Sequence, residues 1–202
     1  ELARFFNGEN KIGAELHVVK MEGWDRKMWM DQTGLEWINP SPNLRNLTAA
    51  ILYPGTCLIE NSAVSIGRGT DNPFEGAGAP WFKNLEIADY LNARNIPGVR
   101  FMARRFTPTE APYKGQECNG IDVQLLNRDE LDSPRMGLEL LAAVLKFHPD
   151  RFTLDRKIML LLGNDRAADL LKRGETGSQV NQALRGEIDA FRKVREKYLL
   201  YK

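Results

Sequence analysis

The sequence has few residues of the kinds that build metal sites, disulfide frameworks or nucleic-acid surfaces. Its 202 residues include two histidines and two cysteines, and the formal net charge is +1. Neither cysteine has the CxxC or His spacing of a metal site, and a balanced charge attracts neither nucleic acid nor an anionic membrane. No apolar run approaches the roughly 20 residues of a membrane span, and the N-terminus shows no signal peptide. With 43% apolar residues, we expect a globular core and no metal or cofactor.

The few cysteines and histidines are interpreted as structural. Cys57 and Cys118 are expected to be buried free thiols, and a disulfide between them stays open as the alternative. His17 and His148 lie far apart in the sequence, so neither is expected to be a metal ligand or a catalytic base.

Apolar periodicity predicts strands and loops in the N-terminal part and helices in the C-terminal part. Strands are predicted at 14–21, 49–55, 98–108 and 120–127, with a helix at 84–94. From Pro134 onward, proline and glycine separate three predicted helices, at 135–149, 156–174 and 178–201. The expected class is α+β, one domain over residues 1–202 with helices packed on one face of a small mixed sheet.

Both ends of the chain carry amphipathic helical patterns. The first, "ELARFFNG", places Phe5 and Phe6 on one face and stops at Asn7 and Gly8, which suggests a helix cut at its first turn and sequence missing upstream. The last, "GEIDAFRKVREKYLLY", carries an apolar stripe through Phe191 and is expected to face the core.

Three tryptophans lie in the irregular segment "MEGWDRKMWMDQTGLEWINPSPN" at 21–43. Trp24, Trp29 and Trp37 suit a sugar-stacking surface, because an indole face covers the apolar side of a pyranose ring. The alternative, which the composition favours, is that the rings pack an irregular loop onto the sheet.

The run "SIGRGTDNPFEGAGAPW" at 65–81 combines turn residues with chemically specialised ones. Gly67 and Gly69 flank Arg68, so the backbone can present the guanidinium at a tight bend, with Thr70 as a further donor. This pattern favours a loop that holds a carboxylate or phosphate. Neither a Walker loop nor a dinucleotide fingerprint is present.

Two acidic residues accompany this arginine. Glu60 ends an apolar run and Glu75 follows Phe74 in the glycine-rich loop, so both are candidates for partly buried carboxylates. Two acids and one arginine beside a cleft suit glycoside hydrolysis. A structural network in which Arg68 pairs with Glu60 or Glu75 remains open.

The run "LYPGTCLIE", followed by "GRGT", "PFE" and "GAPW", resembles the signature of the NamZ-like peptidoglycan exo-β-N-acetylmuramidases. The segments "GWDRKMWMDQTGLEWINPSPN", "YKGQECNGI" and "FRKVREKYLLY" agree in the same order. The similarity extends over essentially the whole chain and matches the C-terminal half of the family. Complete members carry an upstream Rossmann-like domain, which is expected to be absent from this chain.

The resemblance implies an enzyme that releases N-acetylmuramic acid from peptidoglycan fragments in a cleft between two domains. The principal catalytic glutamate of the family belongs to the N-terminal domain, so Glu60 and Glu75 are expected only to support catalysis. The other matching motif residues are expected to bind substrate or shape the loop: Arg68, Gly69, Thr70, Pro73, Phe74 and Trp81. Asn61 and Ser62 stand where members commonly have Gly-Thr, which affects the expected loop shape.

The implied partners are a muropeptide or another peptidoglycan-derived saccharide and the N-terminal domain of the same protein. Arg68 is a suitable partner for the lactyl carboxylate of muramic acid. The implied location is bacterial and periplasmic or secreted, with a signal peptide upstream. The alternative is a non-catalytic carbohydrate- or partner-binding module.

Overall fold

The computed structural model describes residues 1–201, which contain α-helices and a small antiparallel sheet. The helices are α1 (Leu2–Glu9), α2 (Leu47–Thr56), α3 (Asn84–Ala93), α4 (Ser133–Phe147), α5 (Arg156–Leu162), α6 (Asp165–Lys172), α7 (Gly177–Ala183) and α8 (Arg185–Glu196). The strands are β1 (Gly76–Ala79), β2 (Val99–Phe106) and β3 (Cys118–Leu125), in the order β1-β3-β2. The predicted α+β class is confirmed. The predicted mixed sheet is wrong, because both strand pairs are antiparallel.

The chain divides into two compact units, each of which is described by itself. One unit is Glu1–Trp37 together with the segment from Leu184 onward, and the other is Ile38–Ala183. The single domain over residues 1–202 stays a prediction. In the first unit, Phe5 contacts both Phe191 and Tyr198 edge-on, with ring centroids 5.6 and 5.5 Å apart. Trp24 packs in the same way on Tyr201 at 4.9 Å.

Helix α8 keeps its apolar stripe accessible. Phe191 is 47% exposed, and Ile188 and Val194 are each 37% exposed. No residue of α8 is buried. The expectation of a core-facing terminal helix is therefore wrong for this chain, since a ring that loses only half of its exposure cannot act as a core anchor.

The core of the second unit lies between one face of the sheet and the helices. Ile121 and Val123 of β3 and Phe101 of β2 are almost fully buried, and alternate residues of a strand share a face. Helix α4 is central, because it packs against α2, α3 and α7.

Two segments predicted as strands have other conformations. Residues 49–55 belong to α2, which begins where the Asn46 side chain accepts a hydrogen bond from the backbone N–H of Ala49 at 2.7 Å. Residues 14–21 form neither helix nor strand, and Val19 is 96% exposed. Their alternation has no ladder partner among residues 1–201, and a strand needs one.

The helical and glycine-rich regions also differ from the expected boundaries. The predicted helix at 156–174 is interrupted at Gly163, which has a left-handed conformation with φ of 63°. The predicted helix at 178–201 is divided at Leu184 into α7 and α8. Strand β1, with the sequence GAGA, was not predicted, because glycine and alanine carry no apolar alternation.

Helices α2 and α4 approach each other through two glycines. A Cβ at Gly137 would collide with the backbone oxygen of Gly55, and one at Gly55 would collide with the backbone oxygen of Ser133. The Ser133 hydroxyl accepts from the Gly55 N–H and donates to the Leu52 carbonyl, each at 3.0 Å. The two backbones are therefore in direct contact with no room for a side chain.

We expect Gly137→Ala to destabilise the chain by about 1–3 kcal/mol, because the added methyl must push α2 away from α4. Gly186→Ala in α8 is the matched control, since nothing lies within 4 Å of its added Cβ. That control is expected to be neutral or to stabilise by up to about 1 kcal/mol. Urea unfolding measures the free energy of unfolding of both variants. Equal values would contradict the close contact between α2 and α4.

Candidate functional site

The loop that carries the predicted site residues is closed at its base by backbone hydrogen bonds. Ser65 and Gly78 exchange two N–H···O bonds of 2.8 Å, and the Phe74 N–H donates to the Ile66 carbonyl at 2.8 Å. The chain between these positions is therefore a closed excursion from the edge of the sheet, with Arg68 near its start.

The turn around Arg68 has the predicted backbone geometry. Gly67 and Gly69 have φ of 78° and 75°, values that favour glycine. The hydroxyl of Thr70 donates to the Gly67 carbonyl at 2.6 Å. Thr70 thus stabilises the turn itself, and its hydroxyl proton is directed inward to the backbone.

The structure brings Arg68 together with Glu60 and Phe74. The Arg68 Nη2 donates to Glu60 Oε1 in an ion pair whose side chains are 37% and 14% exposed. The guanidinium carbon lies 5.4 Å from the centroid of the buried Phe74 ring, within cation–π range. Tyr53 packs edge-on against the same ring at 4.8 Å. An acidic residue and an aromatic ring thus orient Arg68, and the pair with Glu60 is one of the two ion pairs that the structural alternative predicted.

The same carboxylate affects two neighbouring groups of the α2 end. Burial raises the pKa of the Cys57 thiol, and the Glu60 charge raises it further. Burial is also the main cause that raises the pKa of Tyr53, followed by Cys57 and Glu60, while Arg68 lowers it. Cys57 and Cys118 are free thiols, half-buried and buried respectively. A thiol with a raised pKa is a poor nucleophile near neutral pH.

Glu75 lies in a different set of contacts. Its Oε1 accepts a hydrogen bond from the Asn46 side-chain amide at 2.9 Å, and its backbone carbonyl accepts from the Val123 N–H at 2.8 Å. Asn46 is also the residue that caps α2. Glu75 therefore joins the loop to the start of α2 and the sheet, and among residues 1–201 Arg68 pairs with Glu60 alone of the two acids.

A second segment, residues 107–117, holds the loop from outside. The Gly69 carbonyl accepts from both the N–H and the hydroxyl of Thr109 at 2.9 Å. The Tyr113 hydroxyl donates to the Ala63 carbonyl at 2.8 Å and accepts from the Trp81 indole N–H at 3.1 Å. Tyr113 was not singled out from the sequence, where its only signal was membership of the "YKGQECNGI" run.

Trp81 is half-buried beside His148. The two rings meet edge-on with centroids 4.8 Å apart, and His148 Nε2 accepts from the Lys83 backbone N–H at 3.1 Å. Burial lowers the pKa of His148, as does the nearby Lys83, while Glu86 raises it. His148 is therefore a neutral acceptor that supports the segment following Trp81.

The described part of the chain contains neither a cluster of metal-binding side chains nor a helix that could span a membrane. Among residues 1–201, no three His, Cys, Asp or Glu side chains come together as a possible metal site. No helix in this range has the length and apolar character that crossing a membrane requires.

We expect Gly69→Ala to destabilise the chain more than Gly115→Ala, by at least about 1 kcal/mol. Both glycines have positive φ, 75° and 72°, so both substitutions strain the backbone. Only at Gly69 would the new Cβ collide with the backbone N of Glu110, whereas Gly115 has open space. Thermal unfolding compares them, and equal losses would show that residues 107–117 do not hold the loop.

The His148 contact predicts a pH dependence. A lowered folded pKa means that the unfolded chain, with a pKa near 6.5, binds the proton more readily, so stability falls as pH drops below about 6.5. The loss in the free energy of unfolding levels off below the folded-state pKa of His148. Its slope stays under about 1.4 kcal/mol per pH unit. Urea unfolding at pH 7.5 and 5.5 should show this loss, and His148→Gln should reduce it. An unchanged slope in that variant would exclude His148 as its source.

Comparison with known proteins shows the family of this chain. Residues 51–201 match the sequence model described as "Exo-beta-N-acetylmuramidase NamZ, C-terminal", and residues 1–48 match the one described as "Exo-beta-N-acetylmuramidase NamZ, N-terminal". The chain is 36% identical over 203 residues to "Peptidoglycan beta-N-acetylmuramidase NamZ" of Bacillus subtilis (strain 168), covering all of this chain and 49% of that protein.

Two solved structures have the same fold. Both are DUF1343 family proteins from Bacteroides fragilis NCTC 9343, with TM-scores of 0.79 and 0.72 at 30% and 26% identity. All of this chain is covered, against 55% and 54% of those chains. The chain thus spans about half the length of the relatives it matches. The protein belongs to the NamZ exo-β-N-acetylmuramidase family of glycoside hydrolases.

Proposed function

We propose that this chain is part of an exo-acting glycoside hydrolase that releases N-acetylmuramic acid from peptidoglycan fragments. In this proposal, the loop around Arg68 forms one wall of the substrate cleft. The observation that carries it is the family match over residues 51–201 together with the 36% identity to a peptidoglycan β-N-acetylmuramidase.

Arg68 is the residue that selects the sugar in this proposal. Muramic acid differs from glucosamine by a lactyl ether that ends in a carboxylate, and a guanidinium binds a carboxylate through parallel N–H donors. One nitrogen of Arg68 bonds Glu60, while the other guanidinium donors have no protein acceptor among residues 1–201. The side chain is 37% exposed. An arginine oriented by Glu60 and Phe74 and still partly accessible is suited to recognise an acidic ligand.

The two glutamates have supporting roles in the proposal. Glu60 accepts from Arg68 and therefore positions the guanidinium, whereas Glu75 accepts from Asn46 and fixes the loop to α2. In both contacts the carboxylate accepts a hydrogen bond from a neighbouring side chain. The principal acid is proposed to belong to the N-terminal part of the longer family members. The half-buried Trp81 supplies apolar surface of the wall, and the buried Phe74 supports the Arg68 guanidinium.

The remainder of such a longer protein is the proposed partner. Residues 1–48 match the N-terminal family model, and within them residues 14–21 alternate without a strand partner. Leu16, Val18 and Val19 are 40%, 42% and 96% exposed. An exposed apolar segment with the alternation of a strand is suited to join the edge of another sheet. A periplasmic or secreted location agrees with a cell-wall substrate and stays a prediction.

A chimera tests the proposal. This chain alone is expected to fold and to show no turnover of a chromogenic muramic acid glycoside. A chimera in which it replaces the matching half of the Bacillus subtilis relative is expected to be active. In that chimera, Arg68→Lys keeps the charge and loses the planar fork, so affinity for muramic acid should fall about tenfold. Discrimination against N-acetylglucosamine should shrink with it.

Arg156→Lys, an exposed position at the start of α5, is the matched control and should change neither quantity. If Arg68→Lys lowers the melting temperature and leaves sugar discrimination unchanged, Arg68 only stabilises the loop and does not bind the sugar. Robust turnover by this chain alone would show that the essential acid lies within it. Binding of the glycoside by the chimera without turnover would favour the non-catalytic carbohydrate-binding module.

A further inference from the structure

A concave site lies in the unit Ile38–Ala183, formed by α3, α4, α6 and the segments 149–154 and 174–176. Its volume is about 780 Å³, within the range of small-molecule pockets. Much of its lining is apolar, contributed by Ala142, Leu145, Phe152, Leu154 and Leu171. None of the residues that define the loop around Arg68 lines it.

The polar part of this cavity carries one sign of charge. Arg94, Lys146 and Lys172 line it, and no aspartate or glutamate among residues 1–201 does so. None of the three cations has a carboxylate partner in the described ion pairs. Arg68, by contrast, is neutralised by Glu60.

Two of these cations converge on one aromatic ring. The Arg94 guanidinium carbon and the Lys146 Nζ lie 5.2 and 5.4 Å from the Tyr90 ring centroid. The ring attracts each cation, but it does not neutralise the two like charges. An anion beside the ring would do so, and the accessible apolar lining would receive the uncharged part of the same molecule.

We propose that this cavity binds a small amphiphilic carboxylate. Its head contacts Arg94 and Lys146 beside Tyr90, and its hydrocarbon body lies against Leu145 and Pro149, which are accessible apolar residues of the lining. The match is one of charge and polarity: two cations without a carboxylate partner lie beside Tyr90, and apolar side chains form much of the remaining lining. It does not depend on the proposed muramidase function, because the loop around Arg68 takes no part.

Titration of the 202-residue chain with octanoate tests this inference by calorimetry and by amide NMR shifts. Octanoate is expected to bind and to shift amides around Tyr90, Lys146 and Leu171. Octylammonium reverses the head charge, and acetate lacks the apolar body. Both are expected to bind at least about tenfold more weakly, since each loses one of the two matching contributions.

The double variant Arg94→Gln, Lys146→Gln should weaken octanoate binding by at least about tenfold, because it removes both charged contacts. Lys157→Gln, an exposed lysine of α5 outside the cavity, is the matched control and should bind octanoate normally. Melting temperatures verify that each variant folds. Lys146 is exposed, so Lys146→Gln alone repeats the test if the double variant does not fold.

The proposal would be overturned by the absence of octanoate binding, by equal binding of octylammonium, or by an unchanged octanoate affinity in the folded cation variants. NMR shifts confined to residues outside the cavity lining would do the same.

Discussion

The close approach of α2 and α4 at Gly55 and Gly137 is the constraint on which the geometry of the loop depends. The Ser133 hydroxyl bonds backbone groups of α2 at this crossing, so the end of α2 has a defined position on the central helix. A single 3-10 turn, Cys57–Ile59, then leads directly to Glu60. The carboxylate that orients Arg68 is thus positioned by a contact that admits no side chain.

From this point, the site is held mainly by contacts between distant parts of the chain. Tyr53 of α2 supports Phe74, and Phe74 supports the Arg68 guanidinium. Tyr113 and His148 hold Trp81 from positions 32 and 67 residues away in the sequence. The loop therefore has a defined shape despite its many glycines. Hydrogen bonds and ring contacts from α2, from residues 107–117 and from His148 restrict its conformation.

The net charge of +1 conceals two different cationic environments. Arg68 is partly shielded and paired with Glu60, which suits an arginine that recognises a ligand while keeping one orientation. Arg94 and Lys146 share an aromatic ring without an acidic partner among the described residues. Composition could not separate these cases, because it records how many charges there are and not which of them meet.

The sequence by itself determined the α+β class, the two long strands, the helices at 84–94 and 135–149 to within two residues, and the positive φ of Gly67 and Gly69. These features rest on local periodicity and on turn chemistry, which neighbouring residues specify. Its motifs also carried the resemblance to the NamZ family, which the comparisons confirmed. Only the tertiary structure decided that residues 49–55 are helical, that Arg68 pairs with Glu60 and not Glu75, and that α8 keeps its apolar stripe accessible. Each of these depends on which groups meet in three dimensions: α2 packs on α4, with 78 positions between Gly55 and Ser133, while Glu60 and Glu75 lie eight and seven residues from Arg68 on either side. A local pattern shows that a residue can be buried or paired without showing which group it meets.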